Sequence, residues 1–404
     1  MTFALLALVL AAPVAIDGGT PAALPATGGL FSLIPENPLQ GSKLFTEKGC
    51  ITCHTVQSSG GRGGPDLGRG MMNRPLLEIA GVMWNHSPRM EHAFRERHIT
   101  RPKFDAKEMA TLLAFLYSLG SFEDPGDAAA GARLFRDKQC ARCHQVGGTG
   151  GRVGPSLDKF AAYASPLYFT SALWNSGKRM SARMKEMNVE RPVFEGKDIA
   201  NLLAFIRREA GGLDRVYAQP GNPRRGEKLF TAKGCAACHA VNGQEGGYAP
   251  DLGRELKGTL MQVAGAMWNH GPKMWARMAQ RGTQAAKLTP EEAGDLISYL
   301  YFLQFIDPPG NPQRGLAVYR EARCVTCHEA VAGGKRAAPS LTGGADRFGS
   351  SLEVVASMWN HGAQMEQLMA EVNVAWPTLK GTEMADLIAY LFATSRPEVA
   401  AGKH

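Results

Sequence analysis

Cys50-Ile51-Thr52-Cys53-His54 has three counterparts along this chain: Cys140-Ala141-Arg142-Cys143-His144, Cys235-Ala236-Ala237-Cys238-His239 and Cys324-Val325-Thr326-Cys327-His328. Together the four runs use all eight cysteines. A C-x-x-C-H run reads as an attachment site for a c-type haem. Two thiols three residues apart can each form a thioether to one side of a porphyrin, and the adjoining imidazole then lies under the iron. Other chemistries use C-x-x-C, but they fit less well. Structural zinc sites bring two such pairs about 15–20 residues apart, whereas successive pairs here are 90, 95 and 89 residues apart. A disulfide within each pair would close a tiny strained loop, and a thioredoxin-like centre calls for a βαβ pattern that is not present. The reading is four covalent haems, held by Cys50, Cys53, Cys140, Cys143, Cys235, Cys238, Cys324 and Cys327, with His54, His144, His239 and His328 as proximal iron ligands.

The motif sits inside a larger repeat. Helix-breaking clusters such as Asp124-Pro125-Gly126-Asp127, Pro220-Gly221-Asn222-Pro223 and Pro308-Pro309-Gly310-Asn311 mark boundaries. They divide the chain into a segment 1–36 and units 37–121, 127–211, 222–306 and 312–396. A glycine stands nine residues before the first cysteine of each run: Gly41, Gly131, Gly226 and Gly315. Glycine in a helix costs stability, so its recurrence predicts close helix approach. Eleven residues after each histidine comes a proline, Pro65, Pro155, Pro250 or Pro339. Its carbonyl is placed to accept the free imidazole N–H, which would fix the tautomer of an iron-ligating histidine. Each unit ends on an apolar i, i+3, i+4, i+7 stripe, as in Met109, Leu112, Leu113 and Leu116, which predicts an amphipathic helix packed on the first one.

The other iron face needs a partner unless the site is open. The candidate region is Met83-Trp84-Asn85-His86-Ser87-Pro88-Arg89-Met90 with its counterparts Leu173 to Met180, Met267 to Met274 and Met358 to Met365. Trp84, Trp174, Trp268 and Trp359 are assigned to the haem environment. His86, His270 and His361 share a position that is Ser176 in the second copy, and Met184, Met278 and Met369 share one that is Phe94 in the first. Only Met90, Met180, Met274 and Met365 form a complete set, 35 to 37 residues after the proximal histidine. They are the distal candidates, with the histidine series as the alternative. His/Met ligation raises the reduction potential.

These residues resemble class I cytochrome c domains: the Gly-x-x-Leu-Phe helix, C-x-x-C-H, the Gly-Pro-x-Leu loop (Gly64 to Leu67, Gly154 to Leu157) and the last helix all match, over nearly all of residues 37–396. The resemblance implies an all-α fold of four tandem domains, each wrapped around one covalent haem c. It also implies electron transfer as the role and haem attachment outside the cytoplasm. One departure stands out. Where many such domains carry the ligand in Met-Pro-x-Phe, this chain has Arg101-Pro102-Lys103-Phe104, Arg191-Pro192-Val193-Phe194 and Trp376-Pro377-Thr378-Leu379, and the third copy has Leu288-Thr289-Pro290.

Phe3 to Ala15 is an apolar run of 13 residues, too short to span a bilayer but suited to a secretory signal, and an Ala/Pro/Gly/Thr-rich spacer follows from Pro13 to Leu30. Export to a periplasmic or other extracytoplasmic compartment is expected, with an uncleaved anchor as the alternative. The formal charge of +8 does not point to nucleic acid, because the basic residues are scattered. It is polarised instead: the four units carry +4, +6, +3 and 0. An acidic redox protein docking on the first two units is the partner this suggests, and membrane association would run through the N-terminal segment or a membrane complex. A linear relay of single electrons is the leading function. A haem enzyme with one five-coordinate iron and a cytochrome subunit of a dehydrogenase or oxidase complex are the alternatives.

Overall fold

The computed structural model of the chain describes residues 38–56, 59–68, 74–119, 126–160, 166–211, 221–243, 247–304, 307–329, 338–341, 343 and 347–394. The Phe3–Ala15 run, the spacer after it and parts of the inter-unit linkers lie outside the described residues. One three-helix pattern recurs four times. The first unit has α1 (Pro38–Glu47), α2 (Leu76–Glu96) and α3 (Ala106–Leu119), and the second α4 (Ala128–Asp137), α5 (Pro166–Glu186) and α6 (Asp198–Glu209). The third has α7 (Pro223–Ala232), α8 (Leu260–Gln280) and α9 (Pro290–Leu303), and the fourth α10 (Pro312–Glu321), α11 (Ser351–Glu371) and α12 (Glu383–Ala393). Strand structure among the described residues amounts to two-residue ladders after the first two C-x-x-C-H turns and a single bridge between His239 and Ala249 after the third. No described helix is long and apolar enough to cross a membrane.

The boundary clusters work as helix starts. Asp127, Asn222 and Asn311 each accept the N–H three residues on, capping α4, α7 and α10. In each unit the first helix crosses the last at the predicted glycine. A Cβ on Gly41 would collide with the Thr111 carbonyl and Phe115, and one on Gly131, Gly226 or Gly315 with the carbonyl of Asn201, Asp295 or Asp386. An aromatic pair closes each crossing, for example Phe135–Phe205 and Tyr319–Tyr390, both at 5.3 Å between centroids. The apolar stripes of the last helices are buried throughout.

The units do not pack in chain order. The long middle helix of the first unit, α2, packs on α11 and α12 of the fourth, and α5 of the second on α8 and α9 of the third. Four Trp-Asn pairs make these junctions, reciprocally. Trp84 Nε1 donates to the Pro377 carbonyl (2.9 Å) and Trp359 Nε1 to Pro102 (2.8 Å); Trp174 donates to Ala286 (2.9 Å) and Trp268 to Pro192 (2.8 Å). The neighbouring asparagine brackets one backbone residue of the partner unit. Asn85 takes the N–H of Leu379 and donates to its carbonyl, at 2.8 and 2.7 Å, and Asn360 does the same with Phe104, Asn175 with Leu288 and Asn269 with Phe194. Each amide thus satisfies both backbone polar groups of a buried residue, which would be costly to leave unpaired.

The two couples meet where α3 and α9 end. Tyr117 Oη donates to the Tyr301 carbonyl at 3.0 Å, and its ring lies 5.0 Å from that of Phe302. For this reason the ends of α3 and α9 are buried on every side, beyond the single stripe that amphipathicity predicts. Both carboxylate oxygens of Asp307, in the connection from the third unit to the fourth, accept the Leu77 N–H at 3.1 Å and so cap α2 of the first unit. Burial pushes the Asp307 carboxyl up to about 7, against the pull of the Leu77 N–H and with the help of the nearby Glu78 charge. A raised carboxyl contributes stability that is complete below the ordinary carboxylate range and is lost as pH rises through about 7. The expected result is a thermal midpoint that falls as pH rises from the ordinary carboxylate range to about 7 and is level above it, by a free energy on the order of 4 kcal/mol between the acid and alkaline limits. Asp307→Asn should flatten that dependence, and an unchanged slope in the variant would refute the assignment.

Candidate functional site

Each C-x-x-C-H run forms one tight turn after the first helix. The N–H of the histidine bonds back to the carbonyl of the first cysteine in all four (2.9, 2.9, 3.0 and 3.0 Å). This turn sets the imidazole over the proline loop eleven residues on. Nδ1 lies 3.1 Å from the Pro65 carbonyl for His54, 2.9 Å from Pro155 for His144, 3.0 Å from Pro250 for His239 and 2.7 Å from Pro339 for His328. A carbonyl has no proton to give, so Nδ1 carries the hydrogen and Nε2 keeps its lone pair for a metal. The preceding glycine permits this approach in two units, since a Cβ on Gly64 or Gly154 would stand 2.6 or 2.5 Å from the imidazole Cε1. Burial, together with the charge of nearby His86, holds His54 below the usual imidazole range despite the Pro65 bond, which favours the neutral, ligating form.

Burial pushes the first thiol of each run, Cys50, Cys140, Cys235 and Cys324, up to about 11. That is opposite to the low thiol pKa of a dithiol redox centre. Among the described residues no three His, Cys, Asp or Glu side chains converge as a metal-ion cluster requires, so tetrahedral zinc does not fit either.

What the turn does face is best seen in the second unit, where it opens on a cavity of about 800 Å³, within the range of cofactor sites. Cys140, Cys143, His144 and Pro155 line it, as do Ser176, Met180 and Met184 from α5. Most of the remaining wall is apolar, including Phe135, Phe169, Leu202 and Ile206, but Lys159, Arg179 and Arg183 are also present. Two thiols, an imidazole with a free Nε2, a greasy wall and cations for two propionates suit a covalently attached porphyrin. The three basic residues escaped the sequence reading, because charge scattered along the chain does not reveal convergence in space.

Met180 is thus brought to the same cavity as His144, with Met184 one turn further along α5. Met90, Met274 and Met365 occupy the same place on α2, α8 and α11 and are half-buried. The competing histidines are also on these helices. His86, His270 and His361 each direct Nδ1 to the carbonyl four residues back, Val82, Ala266 and Ser357, at 2.8 to 2.9 Å. Trp268 lines the second unit's cavity although it belongs to the third unit.

The residues standing where the methionine of Met-Pro-x-Phe would be have a different task. Arg101 lies 4.0 Å over the Trp359 ring and donates to the Trp359 carbonyl at 3.2 Å; Arg191 lies 3.5 Å over Trp268 and donates to its carbonyl at 2.8 Å. Trp376 stacks on Trp84 at 4.1 Å and donates to its carbonyl at 3.1 Å. Two of these carbonyls are freed by helix-interior prolines. Pro88 and Pro272 stand four residues after Trp84 and Trp268 and have no N–H to return. Those prolines were the signal in the sequence that could have exposed the junction. In the third copy the junction bonds run to Ala286 and Leu288, so its counterpart of Arg-Pro-x-Phe is Ala285-Ala286-Lys287-Leu288. The alignment through Leu288-Thr289-Pro290 is corrected accordingly: Thr289 and Pro290 already cap and begin α9.

Comparison with curated proteins and with solved structures returned no match. The cytochrome c family model matches four times in succession, over residues 39–120, 128–209, 223–304 and 312–395. The chain belongs to the cytochrome c family, as four tandem domains that each carry one covalently bound haem c.

Proposed function

We propose that this haem-based electron-transfer protein relays single electrons between redox partners outside the cytoplasm, with each iron held by a histidine and a methionine. The observation that carries the reading is the second domain's cavity, which presents the Met180 thioether and the His144 imidazole to one cofactor site. Both axial positions then belong to the protein, no site is left for substrate, and the potentials are raised relative to bis-histidine ligation. Met90, Met274 and Met365 take the same role in the other domains. The first domain offers the clean test, because Phe94 replaces the second methionine there. Met90→Ala should remove about one quarter of the far-red sulfur-to-iron charge-transfer absorption, one haem of the four implied by the four attachment runs. An undiminished band would transfer the assignment to His86. The fully reduced protein should not bind carbon monoxide at neutral pH, and stoichiometric binding at one haem would favour a five-coordinate enzymatic site.

The partner we propose is an acidic redox protein that docks on the first two domains, whose formal charges are +4 and +6. Such a field speeds encounter and is screened by salt. Reduction rates that do not fall with ionic strength would refute it.

A further inference from the structure

The Trp-Asn junctions bear on the order in which electrons can travel. Trp268, carried by α8 of the third domain, forms part of the wall of the second domain's haem cavity, where its indole N–H is bound to Pro192. Arg191 lies 3.5 Å over its ring on the side of the second domain. The same N–H to carbonyl bond recurs at Trp84, Trp174 and Trp359, always into the residue two before the bracketed one. Each junction therefore sets a tryptophan of one domain against the chain of its couple partner, and the pairing is nested: first with fourth, second with third. All four junctions are used within these couples. The two couples touch through the first and third domains, where Tyr117 meets Tyr301 and Phe302.

We propose that electrons exchange within the couples 1–4 and 2–3, and pass between couples through domains 1 and 3. The relay then runs 4–1–3–2 instead of in chain order, with Trp84, Trp174, Trp268 and Trp359 as its positioning residues. This rests on the electron-carrier reading. Electron tunnelling falls steeply with distance, so the domains packed face to face exchange before those joined only by a linker. Each hop oxidises the iron of one pocket by one electron and reduces that of its neighbour by one. No bond is made or broken and no proton moves.

The test is a redox titration of the full four-haem protein followed by paramagnetic NMR of the haem methyl signals. Each haem is assigned by a conservative change inside its attachment turn: Ile51→Val, Ala141→Val, Ala236→Val or Val325→Ile. Oxidation of haem 4 should shift the reduction curve of haem 1 more than those of haems 2 and 3, and oxidation of haem 3 should shift that of haem 2 most. Trp268→Phe, which keeps an aromatic wall but removes the N–H donor, should reduce the 2–3 shift and leave the 1–4 shift intact. Largest shifts between haems 1 and 2 and between haems 3 and 4 would overturn the pairing. A Trp268→Phe protein with both shifts unchanged would overturn the positioning role. Carbon monoxide binding at one haem, with the nested shifts present, would defeat the carrier reading and leave the pairing standing.

Discussion

Changing Cys140 and Cys143 together to alanine should leave the chain with three covalent haems, seen as the loss of one haem mass in the intact protein and of one quarter of the pyridine haemochrome absorbance. The expectation follows from the four separate turns, each with its own thiol pair and its own proline-bound histidine. No cysteine is left over to compensate. Loss at this site should also be felt beyond the second domain. The emptied cavity of about 800 Å³ is walled in part by Trp268 of the third domain, so the 2–3 couple loses its packing against the cofactor. The thioethers keep a covalent haem on the chain in both states, so its stabilisation comes from the apolar burial and iron ligation that only the folded domain provides. The thermal transition of the variant should accordingly drop and split, with the 1–4 couple unfolding near its original midpoint. A protein that still carried four haems would refute the assignment of the cysteines.

Gly131→Ala should destabilise strongly, by about 2–4 kcal/mol, although alanine is the better helix former by up to ~1 kcal/mol. The added methyl would meet the Asn201 carbonyl and the Phe205 Cβ, neither of which can rotate away, so α4 and α6 must separate. Gly81→Ala is the matched control. It lies in the interior of α2 at the 1–4 junction, where a Cβ would meet only Met384 and Leu379 at 3.8 and 3.9 Å. That is ordinary contact, and the change should be neutral or stabilising by roughly 0.5–1 kcal/mol. Chemical denaturation of both variants gives the signs, and equal effects would show that helix propensity, not the crossing, controls these positions.

Much of the domain was legible in the sequence because its determinants are local. The attachment turn is a five-residue motif, the proline carbonyl lies at a constant offset from its histidine, and the crossing glycine lies at a constant offset from its cysteine. Covalent geometry and helix pitch convert such offsets directly into contacts. The last-helix stripes were legible for the same reason, since period 3.6 places Met109, Leu112, Leu113 and Leu116 on one buried face.

Two things were decided only by tertiary structure. One is the convergence of Lys159, Arg179 and Arg183 on a single cavity wall. The other is the nesting of the domains, 1 with 4 and 2 with 3, by bonds such as Trp84 to Pro377 that join residues 293 positions apart. The repeat itself hides this partnering, because four similar Trp-Asn elements offer four similar donors, and nothing within a repeat says which copy accepts them. The choice is made by surfaces that differ between copies: Tyr117 against Tyr301 and Phe302, Asp307 on α2, and Trp376 where Arg101 and Arg191 stand in two of the other junctions and Ala285 in the third. The four haem-binding sites are thus a property of the sequence. Which domains face each other is settled by burial and by hydrogen bonds that exist only once the whole chain has folded.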